Sequence, residues 1–199
     1  MMFEAIKNYF SSHSVILNEE QNRVLDSELQ QRKVSKDEVL LRQGENCKYT
    51  FFVAKGLLRA FTINQNGKEH ILQFAPENWF ISDRSSLLFG DNSKQFIEAV
   101  EDSEIILFES ETFEKLSELS PEFQKFNMFL LHNHIRHLQN RINQLLSATA
   151  EERYMDFIRM YPDILLRVPQ WMVASYLGIT PESLSRVRKD LAMKNFKTG

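Results

Sequence analysis

From Thr180 onward the chain reads TPESLSRVRK, and six side chains in that stretch can do chemistry: Glu182, Ser183, Ser185, Arg186, Arg188 and Lys189. They are hydrogen-bonding groups and cations spaced three and four residues apart, so on a helix they form a polar face. The planar fork of Arg186 matches the paired acceptors on the major-groove edge of guanine, and Glu182 can accept from cytosine. Ser183 and Ser185 suit phosphate or adaptable base contacts, while Arg188, Lys189 and, further on, Lys194 suit phosphates.

Such a face is useful only if something rigid presents it, and the preceding residues QWMVASYLGI supply the means. Ala174 is small where two helices would touch, and Gly178, four residues later, accepts the left-handed backbone of a tight corner. Thr180 caps the second helix, Pro181 opens it and Glu182 sits near the positive end of its dipole. Val173, Leu177, Leu184 and Val187 give the pair a shared apolar face, which makes the segment a helix-turn-helix. Charge supports this reading. The 199 residues carry a net charge of −3, yet from Arg167 onward six basic side chains face two acidic ones, leaving −7 for residues 1–166.

Upstream, Val34 to Phe108 reads as short β-prone runs, VLLRQ, TFFVAKGLLRAFTI, KEHILQF, WFIS, FIEAV and EIILFE, separated by turn residues. The spacing predicts a sandwich or jelly roll of six or more strands, with Asn66-Gly67 marking a hairpin. Helical spacing of Ile6, Phe10, Val24, Leu25 and Leu29 places short helices before it, to about Gln31, with Asn18 and Gln21 a weak capping pattern. After Ser110 the period is helical throughout. A long helix is expected from Pro121, along which Met128, Leu131, Ile135, Leu138, Ile142 and Leu145 recur at alternating steps of three and four. That is a heptad seam suited to a partner helix, with a wet far face. Thr149-Ala-Glu-Glu152 forms a capping box, so a hinge is expected near Ser147.

The expected fold class is therefore α+β. A jelly-roll sensor domain with flanking helices spans residues 1–120, a dimerisation helix 121–148, and a helix-turn-helix domain 149–199. This order of parts resembles the Crp/Fnr family of bacterial transcription regulators, the most specific match being AEERYMDFIRMYPDILLRVPQWMVASYLGITPESLSRVRKDL. The resemblance implies a homodimer joined along the long helices. It would bind a near-palindromic site on double-stranded DNA under allosteric control from the β-roll, with RNA polymerase a further candidate partner. It also implies a winged helix-turn-helix, and here the chain stops at NFKTG, so a truncated wing is expected.

The family's cyclic-nucleotide cassette corresponds to Ser82-Asp83-Arg84-Ser85-Ser86 and then Ser93-Lys94-Gln95. Asp83 can stand in for the ribose-binding carboxylate, but the phosphate-binding arginine falls on Ser93, or on Lys94 if the register slips by one. A lone serine does not neutralise a buried phosphate, which argues against cAMP and leaves another small effector open. Arg84 or Arg59 could serve a different anion, or be surface groups. The single cysteine, Cys47, excludes an internal disulfide and a multi-cysteine metal centre, and reads as a passive thiol.

The competing classes are weaker. A cupin enzyme needs metal ligands on strands, where only His70 lies; His132, His134 and His137 fall on the seam helix, His132 and His134 flanking the stripe and His137 facing outward, so no metal site is expected. No nucleophile–base constellation appears, and the chain reads as a non-enzyme. A sensing module that regulates a protein partner through its C-terminal helices is the alternative. Neither a spanning apolar run nor a leader pattern is visible, so no membrane role is expected and the default compartment is the cytoplasm.

Overall fold

Where aromatic and β-branched residues run between turns, the chain forms strands. The computed structural model describes residues 2–198, with side chains as far as Lys194. In chain order the strands are β1 (Gln30–Val34), β2 (Val39–Leu41), β3 (Thr50–Lys55), β4 (Leu58–Ile63), β5 (Glu69–Ala75), β6 (Phe80–Ile81), β7 (Phe96–Ala99) and β8 (Ser103–Phe108). They pair antiparallel into two sheets, ordered β1-β8-β3-β6 and β2-β7-β4-β5, which face each other as a jelly roll. Phe51, Val53, Leu58, Ala60, Ile97 and Ile105 fill the space between them.

Strands β3 and β4 read as continuous apolar runs because both outer faces of the roll are covered as well. Over the first sheet, α1 (Met2–Ser12), α2 (Glu19–Glu28), α4 (Ser110–Leu119) and the start of α5 (Pro121–Ser147) bury Phe10, Phe52, Phe108 and Phe123. Over the second, α6 (Ala150–Met160), α7 (Ile164–Arg167), α8 (Gln170–Leu177) and α9 (Pro181–Thr198) share one core with Phe61, Ile71 and Phe74 of β4 and β5. A short helix, α3 (Arg84–Phe89), lies between β6 and β7.

Several expectations are met in detail. Gly67 turns the β4–β5 hairpin at φ 75°, its N–H bonding Asn64 O at 2.9 Å. Asn66-Gly67 thus sits in a three-residue loop, not a two-residue one. Ser120 caps α5 through Phe123 N, with Pro121 in its first turn. Thr149 and Glu152 exchange both capping-box bonds, so the chain breaks between α5 and α6. Asn18 and Gln21, weak by eye, also form a complete capping box.

One reading is corrected. The helical segment expected up to about Gln31 ends earlier, and Gln30 already begins β1. That strand is polar and exposed over Gln30–Lys33, because it is an edge strand held to β8 through its backbone, so it has no apolar alternation to read. Helices α6 to α9 share their core with the β-roll. Among the described residues no strand follows α8, and α9 runs on to Thr198.

Candidate nucleic-acid interface and ligand cavity

The corner between α8 and α9 is built as its residues require. Gly178 adopts φ 68°, a left-handed backbone that favours glycine, and a Cβ there would press on Leu145 Cδ2 at 3.1 Å. Ile179 N bonds Ala174 O at 3.0 Å, with Val173, Ala174, Leu177 and Leu184 buried beneath. Thr180 Oγ1 accepts from Ser183 N at 3.2 Å and fixes the start of α9. A hydrogen bond to Thr180, its own backbone N–H and the nearby Arg186 hold the Glu182 carboxyl below its ordinary range.

Beyond this start α9 turns its polar side outward. Glu182, Ser185, Arg186, Arg188 and Lys189 are exposed and Ser183 is half-buried. Among the described residues Ser185, Arg186, Arg188 and Lys189 make no hydrogen bond or ion pair. Lys194, one turn further, is bonded to Glu151 of α6 at 2.7 and 2.8 Å.

The opposite side of this unit is anchored to the β-roll. Ser175 of α8 donates to Glu69 O and accepts from Ile71 N, satisfying the free edge of β5. Arg141 of α5 donates to both Ile71 O and Tyr176 O and stacks on the Tyr176 ring at 3.8 Å. Arg167 bridges Glu77 and Glu101. Arg59, 5% exposed, is held by Glu98 and Glu69 at 2.8 and 2.6 Å and lies between Phe61 and Trp171. The reading of Arg59 as a surface or anion-binding group is therefore corrected, since its charge is already answered inside the fold.

Two further surfaces lie along α5. Met128, Ile135, Leu138, Ile142 and Leu145 are exposed and Leu131 half-buried, so the seam forms an uncovered apolar stripe. On the face turned to its own β-roll, α5 closes a cavity of about 710 Å³ that includes Trp79, Arg84, His134, Arg136 and His137. His137, expected to face outward, instead meets the Trp79 ring edge-on at 6.0 Å. A helix that serves two partners has two inner faces, which a reading of the seam alone does not distinguish. Burial lowers the pKa of both histidines, with Arg84 adding to the effect at His134 and His134 and Arg141 at His137.

Comparison with known proteins addresses what this arrangement belongs to. Residues 31–119 match the cyclic nucleotide-binding domain family. Over 183 residues, 86% of this chain, the sequence is 26% identical to an anaerobic regulatory protein of Pasteurella multocida. It is 25% identical to the fumarate and nitrate reduction regulatory protein of Vibrio cholerae over the same share. The matches span 66% and 72% of those relatives' lengths. A Crp/Fnr-family regulator structure from Eubacterium rectale superposes with a TM-score of 0.69 at 19% identity, covering 94% of this chain and 88% of that one. Over most of its length the chain is thus similar to transcription regulators of the Crp/Fnr type.

The loop after β6 is closed upon itself. Asp83 caps α3 through Ser85 N and Ser86 N, and its other oxygen accepts from Ser93 Oγ at 2.8 Å. Ser93, 2% exposed, also bonds Gln95 O, while Ser85 donates to Asp91 and Lys94 points to solvent. Of the five candidate pocket residues, Asp83 and Ser93 are thus brought together, Ser85 and Lys94 are not, and only Arg84 borders the cavity. Cys47 is buried, which raises its pKa, and its N–H bonds Ser86 Oγ. Among the described residues no three His, Cys, Asp or Glu side chains converge as a metal site, and no helix is long and apolar enough to cross a membrane.

The residues that sequence reasoning missed here are Trp79, Arg136 and the inward orientation of His137. The one available signal was the row Asn133, His134, His137, Asn140, polar but uncharged, along one side of a helix whose other flank is apolar.

Proposed function

We propose that this chain acts as a cytoplasmic homodimer that binds a near-palindromic operator on double-stranded DNA. In this reading α9 is the reading helix. Arg186 is the base reader, Glu182, Ser183 and Ser185 make adaptable contacts, Thr180 fixes the helix start, and Arg188 and Lys189 neutralise phosphates. The observation that carries this is the face of α9, where the side chains of Arg186, Arg188 and Lys189 stand exposed with no hydrogen bond or ion pair among the described residues, while Arg59 and Arg167 on the inner side are paired with carboxylates. The stripe Met128, Leu131, Ile135, Leu138, Ile142 and Leu145 would join two copies lengthwise, setting the two reading helices about 34 Å apart in successive major grooves. A ligand or signal in the β-roll would act through the junction that Arg141 and Ser175 tie between α5, β5 and α8.

A double test applies. Arg186→Ala should abolish discrimination between operator and random DNA while dimerisation and folding persist, and Leu138→Asp should give monomers in sedimentation. Wild-type binding should also fall steeply with added salt. Unchanged discrimination in the first variant, or an intact dimer in the second, would refute the corresponding part. The alternative, docking to a protein partner, predicts no comparable salt slope and is not favoured by any feature of α9.

A further inference from the structure

The break between α5 and α6 at Ala148 would be a free hinge if nothing crossed it, yet the last two turns of α5 are tied to the helices beyond at four points. Arg153 of α6 reaches back and donates to Gln144 O and Ala148 O at 3.4 and 2.8 Å, closing the carbonyl end of α5. The Gln144 side chain donates in turn to Asp156 of α6. Arg141 donates to Tyr176 O of α8 at 2.9 Å. The fourth tie is apolar. A Cβ on Gly178 would lie 3.1 Å from Leu145 Cδ2, so a methyl of Leu145 rests on the bare backbone of the corner that leads into α9.

Leu145 is also the last of the six seam residues and remains 44% exposed. One side chain thus belongs to two surfaces, the stripe offered to a second copy and the prop under the corner of its own helix pair. Leu138, seven residues earlier and 45% exposed, lies about 10 Å back along the same stripe.

We propose that Leu145 is a positioning residue for DNA reading. Packed between the partner's α5 and the Gly178 corner, it fixes the distance between the two α9 helices, and with it the half-site spacing that the dimer accepts. This rests on the reading of the chain as a homodimer on a near-palindromic operator, and names the contact that sets the geometry of that operator. The second copy completes the contact, because Leu145 gains its outer wall only in the dimer. The reason is stiffness. One base pair added between half-sites moves one of them by about 3.4 Å and turns it by about 35° around the duplex. Two reading helices held by a filled contact strain to follow that change, whereas a void at the contact lets them follow at little cost.

For the test, an operator is selected from a random duplex library with the full-length protein, and its half-site spacing is then varied by one and two base pairs either way. Wild type, Leu145→Ala and Leu138→Ala are compared at concentrations where sedimentation shows each to be dimeric. Wild type should lose about tenfold or more in affinity for one base pair added or removed. Leu145→Ala should lose about threefold or less, so that its spacing profile flattens. Leu138→Ala removes the same atoms from the same stripe, and should weaken pairing while keeping the wild-type profile. A side chain that only filled the seam would not separate the two variants. An unchanged profile in Leu145→Ala overturns the proposal, as does equal flattening in Leu138→Ala or a wild type indifferent to spacing. Failure to select any operator sinks the DNA reading as well. An operator whose recognition depends on Arg186 but whose spacing profile ignores Leu145 sinks only this inference.

Discussion

Two sides of the C-terminal helices handle positive charge in opposite ways. On the inner side Arg59, Arg141 and Arg167 each meet carboxylates, carbonyls or rings, and together they tie α5 and α8 to β4 and β5 and α7 to the loops after β5 and β7. On the outer side Arg186, Arg188 and Lys189 project from α9 with no such acceptor among the described residues. A buried guanidinium without a partner would cost several kcal/mol, whereas an exposed one costs the fold almost nothing. The inner cations therefore hold the architecture, and the outer ones are available to something outside the chain.

The contrast is broken most directly at Arg59. Arg59→Ala leaves Glu98 buried without its partner and should cost about 3–5 kcal/mol in urea unfolding; a loss below about 1 kcal/mol would show that the inner pairs carry no weight. Ser175→Ala exposes the bonding groups of Ile71 and Glu69 and should cost about 1–3 kcal/mol, and hydrogen exchange at Ile71 N should quicken. Arg167→Ala should cost about 1 kcal/mol or less, because its carboxylate partners are more than a third exposed.

The Arg167 loss should depend on pH. Desolvation raises the Glu77 pKa, but the hydrogen bond from Arg167 and the N–H of Gly56 outweigh it and set it below its usual 4.5. A depressed carboxyl stabilises the fold above that ordinary value and loses the contribution as pH falls through the folded one. Wild type and Arg167→Ala should thus differ in melting temperature at pH 7 and converge as pH falls below the ordinary carboxylate range. Smallest of all, Arg186→Ala should change unfolding free energy by less than about 0.5 kcal/mol. A larger change would place Arg186 among the inner cations after all.

How far these sides were readable in advance differs by element. The turn at Gly178, the Thr180 cap, the box at Thr149 and the seam of α5 depend on neighbours within about four residues or on a single helix period, and each stands where its residues put it. The edge strand β1 and the fate of Arg59 were not readable. A polar edge strand carries no periodic mark, and whether an arginine in a strand faces water or Glu98 depends on which strand lies beside it.

The amino-acid order alone determined a jelly roll, a long two-faced helix and a capped helix pair with cations on its second member, since these follow from local backbone preference and side-chain period. Only the tertiary structure decided that α8 seals the edge of β5, that the loop at Asp83 and Ser93 closes on itself, and that Arg84, Arg136, His134 and His137 surround one acid-free cavity. Those facts join residues tens of positions apart, and no local rule fixes a distance that the packing of whole layers sets.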